Sequence, residues 1–89
     1  MARITRLLLD ILKPHNPDVV AFARHLAETA TGLEVNLRVV EIDEQTQTLE
    51  VDLEGHDLDL ETIGNAIAAL GGSLHSIDGV RVINDDSTN

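Results

Sequence analysis

The stretch Leu7-Leu8-Leu9-Asp10-Ile11-Leu12-Lys13-Pro14-His15 decides the fold of this chain of 89 residues. A run of branched apolar residues that a proline stops is typical of a β-strand with apolar side chains on both faces. Such a strand belongs in the middle of a sheet, where other structure covers it. Asp10 is the exception, because a buried carboxylate without a partner is costly. The stretch therefore predicts a central strand over residues 4–12, with one carboxylate in need of a partner.

Two strands and a helix are predicted to follow this central strand. Asn16-Pro17-Asp18 indicates the start of the helix, with a capping residue, a proline in the first helical position and an acid in the first turn. Gly32 is predicted to end it. Alternating apolar residues predict strands over 33–43 and 46–54, joined by a turn as a hairpin.

A second helix and a last strand complete the pattern. Asp59 is predicted to cap this helix, and Gly71-Gly72 is predicted to end it. Gly64 lies inside the helix at a cost of about 1 kcal/mol relative to alanine, which indicates close packing at that position. Residues 73–83 are predicted to form the last strand.

The predicted fold class is α+β, a ferredoxin-like βαββαβ unit. Two helices would cover one face of a four-stranded antiparallel sheet with strand order 4-1-3-2, which places the first strand centrally. Residues 1–84 would form one domain and residues 85–89 a polar tail. No helix remains for the other sheet face, which therefore predicts self-association. The apolar residues expected on that face are Leu8, Leu12, Val40 and Ile42.

The amino-acid composition makes several kinds of partner and site unexpected for this protein. The net charge of −10 comes from sixteen acidic residues against six basic ones, so nucleic acid is not an expected partner. Such an acidic surface is typical of proteins that work in high salt, where screening lets like charges crowd together. Without cysteine there is no disulfide and no zinc-thiolate site. No apolar run is long enough for a membrane span, so we expect a cytoplasmic protein.

Three segments taken together carry a family resemblance. They are Arg6–His15, Val35–Asp43 and Gly71–Asp78. The pairing of Leu-Asp-x-Leu-Lys-Pro-His near the start with Gly-Gly-x-x-His-Ser-Ile-Asp near the end resembles DUF211, a family of small archaeal proteins of unknown function. This resemblance spans nearly the whole chain. It implies a ferredoxin-like fold, an archaeal source and ring-like homo-oligomers, and it brings no established activity.

Acidic residues are predicted to meet at one edge of the sheet. Asp10, Glu41 and Asp43, within one chain or from adjacent subunits, would hold a divalent cation, with His75 nearby. Oxygen ligands suit calcium or magnesium better than zinc. The alternative is structural, with Asp10 paired to Lys13 or an arginine and His75 a satisfied, partly buried histidine.

Catalysis is not expected. The candidate nucleophiles are Ser73 and Ser76, with His75 as the base. Neighbours along a strand point to opposite faces, which does not suit a nucleophile and its base. Asp78 has simple expected partners in Arg6 or Arg81.

Two functional hypotheses follow from the sequence. The first is a non-enzymatic homo-oligomeric assembly protein, a ring that can stack further, with acidic cation sites. The second is a regulatory module similar to the ACT domains, which would bind a small anionic ligand between subunits at the loop from Lys13 to Asn16.

Overall fold

The computed structural model describes residues 1–85, which form four strands and two helices. Their bounds are β1 (Ala2–Pro14), α1 (Val19–Ala27), β2 (Glu34–Ile42), β3 (Thr46–Glu54), α2 (Leu60–Ala69) and β4 (Ser73–Asn84). The strands form one antiparallel sheet in the order β2-β3-β1-β4, which is the predicted order 4-1-3-2 named from the opposite edge. The fold is α+β and consistent with a ferredoxin-like unit. The first strand is central, as predicted, and it is longer than predicted at both ends.

The core lies between the helices and one side of the sheet. Alternation along β1 and β3 points one set of side chains toward the helices, and we call this the helix side of the sheet. The other side, which carries Arg6, Leu8, Asp10 and Leu12 of β1, is the open side. The buried apolar side chains of the core are Leu7, Leu9, Ile11, Phe22, Leu26, Leu49, Val51, Leu53, Leu58, Ile63 and Ile67.

The bounds of α1 differ from the prediction at both ends. Asp18, not Asn16, is the cap, since the Asp18 Oδ1 atom accepts a hydrogen bond of 2.8 Å from the Ala21 amide. Pro17 consequently precedes the helix instead of opening it. The helix ends at Ala27, because the Thr29 amide and hydroxyl both bond to the Leu26 carbonyl and tighten the last turn. Gly32, with φ 81°, serves a turn after the helix.

Asp59 caps α2, as predicted, by accepting hydrogen bonds from the Glu61 amide and the Thr62 hydroxyl. The chain leaves the helix through Gly71, whose φ of 83° is the left-handed conformation that favours glycine. The prediction of close packing at Gly64 is wrong. A Cβ atom built at that position would meet no other atom within 4 Å.

A β-bulge near the end of β2 changes the side to which the last residue points. Val39 is opposite Leu49, but Glu41 is opposite Thr48, so one residue is inserted between them. Ile42 consequently lies opposite Gln47, on the helix side of the sheet. The prediction that Ile42 lies on the open side is therefore wrong, because an inserted residue reverses the alternation that follows it.

Candidate functional site

The most unusual surface of the protein is an exposed apolar strip on β4. On the helix side, Leu7, Leu9 and Ile11 of β1 are at most 1% exposed. Their direct partners across the strand pair are Val80, Ile77 and Leu74, which are 59%, 46% and 36% exposed. Val82 continues the series opposite the partly buried Ile4. We call Leu74, Ile77, Val80 and Val82 the β4 strip.

The strip is exposed because the two helices do not reach across the whole sheet. The buried apolar residues of α2, Ile63 and Ile67, belong to the same core cluster as the buried residues of β1 and β3, and α2 contacts β4 without covering the strip. α1 lies over the opposite part of the sheet and contacts β2. Three register irregularities between β1 and β4 also break the simple alternation of the last strand. The sequence signal for the strip is the irregular spacing of its apolar residues, which alternation alone does not assign to a side.

The open side of the sheet is mostly polar. Arg6 binds both carboxylate oxygens of Asp52, at 2.9 and 2.6 Å. This hydrogen-bonded ion pair lowers the pKa of Asp52. Further pairs join Arg38 to Glu50 at 2.7 Å and Arg81 to Glu54 at 3.3 Å.

The apolar part of the open side is smaller than the sequence suggested. It comprises the half-buried Leu8 together with Leu12 and Val40, which are 40% and 53% exposed. The larger exposed apolar surface is therefore the β4 strip, on the other side of the sheet.

Two of the predicted cation ligands come together on the open side. Asp10 and His75 line one shallow depression of about 190 Å³ with Leu12 and Thr48. Asp10 is half-buried and lies directly opposite Glu50, and its carboxylate makes no hydrogen bond or ion pair within residues 1–85. The strand pairing thus places two carboxylates side by side, of which Glu50 is compensated by Arg38 and Asp10 is not.

The other two predicted ligands are close in the chain but do not complete a site. Glu41 is exposed and lies opposite Thr48, one strand further from Asp10. Asp43 lies in the turn after β2, where its carbonyl is 2.8 Å from His15 Nε2. Within residues 1–85 no three histidine, aspartate or glutamate side chains are grouped so that they would hold a metal ion. One chain therefore brings Asp10 and His75 together but does not gather all four residues.

Lys13 does not pair with Asp10, contrary to one alternative from the sequence. Its side chain is fully buried on the helix side, where Nζ donates hydrogen bonds to the Pro14 carbonyl at 2.7 Å and to Gln47 Oε1 at 2.9 Å. Nζ also lies 5.8 Å from the centre of the Phe22 ring. Burial lowers the pKa of Lys13. The amine therefore holds the loop together from inside and is not presented at the surface.

Asp78 also has a different partner from the one expected. Its carboxylate accepts a hydrogen bond of 2.7 Å from the Ser76 hydroxyl, two residues earlier in the strand. Arg6 and Arg81, the expected partners, bind Asp52 and Glu54 instead. The prediction for Asp78 is therefore wrong, because Asp52 and Glu54 of β3 bind the two arginines.

Within the described part of the chain, neither helix has the length and apolar character that crossing a membrane requires.

Comparison with known proteins identifies relatives of this chain. The family model DUF211, described as uncharacterized ArCR, matches residues 5–87. An uncharacterized protein of the archaeon Methanocaldococcus jannaschii is 44% identical over 80 residues, which cover 90% of this chain and 82% of the relative.

Proposed function

The chain belongs to the DUF211 family, and on this premise we propose that it is a non-enzymatic subunit of a homo-oligomeric assembly. The assembly would be a ring that can stack into higher-order structures. The observation that carries the proposal is the β4 strip. Four apolar side chains stand exposed on a strand at the edge of the sheet, and three of them lie beside fully buried residues of the neighbouring strand.

Both properties of β4 favour contact with another chain. Full burial of a valine, leucine or isoleucine side chain is worth about 1.5–3 kcal/mol, so the strip leaves part of that free energy unrealised. An edge strand also presents backbone amides and carbonyls that a further strand can bind. Natural proteins usually protect such edges with charged residues or with a covering helix. Here the strip residues on the helix side of β4 are apolar and stay exposed, although α2 contacts this strand.

Divalent cations fit this proposal through Asp10, Glu41, Asp43 and His75. We propose that these residues, contributed by neighbouring subunits, bind calcium or magnesium. Asp10 supports the idea because it is half-buried and its carboxylate has no partner within residues 1–85, whereas Arg38 binds the neighbouring Glu50. A net charge of −10 per chain makes assembly repulsive, and bound cations or concentrated salt would offset that repulsion. The proposed setting is accordingly a salt-rich cytoplasm.

The ligand-binding alternative gains no support from its proposed site. It relied on the loop from Lys13 to Asn16 and on the start of α1 for binding an anion. The Lys13 amine is buried and bonded to Pro14 and Gln47. The Asp18 carboxylate occupies the start of the helix. We therefore keep assembly as the proposed function.

The mass of the particle in solution tests the proposal. Light scattering after size-exclusion chromatography, from about 0.1 to about 3 M KCl with calcium, magnesium or EDTA, should give multiples of the 9.7 kDa chain mass. Calcium or high salt should favour the larger species. A mass of one chain under every condition would contradict the proposal.

Calorimetry of metal-stripped protein tests the cation sites separately. Titration with calcium or magnesium should release or absorb heat with the wild type and not with Asp10→Asn. The matched control is Asp57→Asn, which removes an exposed acid from the loop before α2 and should leave the heat unchanged. Heat that is absent in the wild type, or unchanged in Asp10→Asn, would remove Asp10 from the proposal.

A further inference from the structure

We infer that β4 of one copy pairs with β2 of a neighbouring copy, in antiparallel fashion, so that the sheet continues from subunit to subunit. The inference rests on the proposed assembly and names its interface. β2 and β4 are the two edge strands of the sheet. All three strand pairings between one edge and the other are antiparallel, so the two edge strands run in opposite directions. Copies that share one strand direction therefore meet β4 to β2 as antiparallel neighbours.

Such a contact joins two different surfaces of the same chain. A contact of this kind repeats indefinitely, and it closes into a ring when the rotation between copies allows. The two free edges of each subunit are thereby both used, which removes the exposed edges from the particle.

The apolar residues of the two edges match in spacing. On the helix side β2 carries Val35, Leu37 and Val39, which lie opposite Leu53, Val51 and Leu49 within the chain. These three residues are only partly buried, so a contact with another copy can bury more of their apolar surface.

One register satisfies both strands. If Leu37 is opposite Val80 of the neighbour, Val35 is opposite Val82. Ile77 then reaches Val39, because β4 already has one inserted residue between Gly79 and Ile77 in its pairing with β1. Three apolar pairs thus form on the helix side.

The charges of the open side agree with the same register. Arg38 of β2 comes opposite Gly79 of the neighbour, which has no side chain, and next to Asp78. Arg81 of the neighbour comes opposite Asn36 and diagonal to both Glu34 and Arg38. Glu34 makes no ion pair within residues 1–85. Long side chains reach diagonal neighbours across a strand pair, so both arginines would meet a carboxylate, and no like charges would be directly opposite.

Cysteine cross-linking tests the register, since the chain has no cysteine of its own. Leu37→Cys and Val80→Cys are purified separately, mixed under assembling conditions and oxidised. A disulfide-linked pair of chains should form in the mixture and not in either variant alone, because directly opposite Cβ atoms lie within disulfide reach. The control mixture is Leu37→Cys with Val20→Cys, which places the second thiol on an equally exposed valine of α1.

Each other outcome overturns the inference in a distinct way. Assembly without cross-linking in the mixture rejects the register but leaves the proposed function standing. Cross-linking of Val80→Cys alone indicates a two-fold contact between two β4 strands instead. A wild type that is monomeric throughout removes both the interface and the proposed function.

A charge on the strip provides a second test. Val80→Lys should reduce the particle to single chains, because the ammonium would be placed among the apolar pairs. Val20→Lys, at a site 63% exposed against 59% for Val80, should leave the mass unchanged. Circular dichroism of both variants is the control that checks whether they are folded. An unchanged mass for Val80→Lys would overturn the inference.

Discussion

β1 and β4 are neighbours in one sheet, but on the helix side the side chains of β1 are buried and their partners on β4 are exposed. Leu9 is completely buried, while its partner Ile77 is 46% exposed. Leu7 and Val80 repeat the contrast one pair further along, at 1% and 59%. The two strands have similar apolar residues, so hydrophobicity alone does not explain the difference. The boundary marks where the helices of one chain stop covering the sheet.

The contrast teaches that the folded chain leaves part of its own sheet uncovered. β1 carries the stability of the single chain, whereas β4 carries surface that is available to another copy. The two strands should therefore respond differently to mutation, and each of the following predictions tests that difference.

The largest expected effect comes from truncation on the buried strand. Leu9→Ala should lower the free energy of unfolding by about 2–5 kcal/mol, since it removes a fully buried side chain and leaves a cavity. Ile77→Ala should cost about 1 kcal/mol or less, because its side chain is half solvated already. Urea denaturation compares the two in the Val80→Lys background, where we expect assembly not to contribute. Equal losses would break the contrast between the strands.

Lys13, at the buried end of β1, should make the free energy of unfolding depend on pH in the alkaline range. The unfolded chain holds the Lys13 proton up to its ordinary pKa of 10.5, while burial lowers the pKa in the folded chain. Between those two values the unfolded state binds more protons, so the free energy of unfolding should rise with pH, by at most about 1.4 kcal/mol per unit. Below the folded pKa this gain is absent.

Lys13 is well suited to this measurement because the chain has no other lysine, no cysteine and no tyrosine. Urea denaturation at successive pH values should show the rise in wild type and a flat profile in Lys13→Met. A rise that persists in Lys13→Met would assign the effect to another group.

A smaller effect is expected in α2, the helix beside β4. Gly64→Ala should raise the free energy of unfolding by about 0.5–1 kcal/mol, because alanine favours the helix and its Cβ meets no atom within 4 Å. Gly72→Ala is the contrasting control. Its Cβ would lie 3.1 Å from Ile67 Cγ2 and 3.4 Å from the Leu12 carbonyl oxygen, so it should destabilise. Thermal unfolding distinguishes the two, and a loss in Gly64→Ala would indicate an unseen contact on that helix.

The fold was predictable because its determinants are local. Alternation located β3 with its observed bounds, and the side chain of Asp59 identified the start of α2. The central position of β1 followed from its apolar residues on both faces. These signals need only neighbours in the sequence.

The surface was less predictable because it depends on distant parts of the chain. The bulge that turns Ile42 to the helix side arises from pairing with β3, and the buried position of Lys13 depends on Gln47. The exposure of Val80 depends on how far two helices extend across a sheet. Of the proposed cation ligands, the sequence placed Asp10 and His75 on one edge, and both line one depression. Within residues 1–85, Glu41 and Asp43 do not join them in a metal site.

Amide hydrogen exchange of the two edge strands tests the proposed interface most directly. Exchange of the wild type is followed by mass spectrometry under assembling conditions and again in the Val80→Lys variant. Pairing of β4 with β2 predicts that amides in both edge strands are protected in the wild type and that both lose protection together in the variant, while β1 and β3 stay protected. Edge amides that exchange equally fast in the two proteins would contradict it.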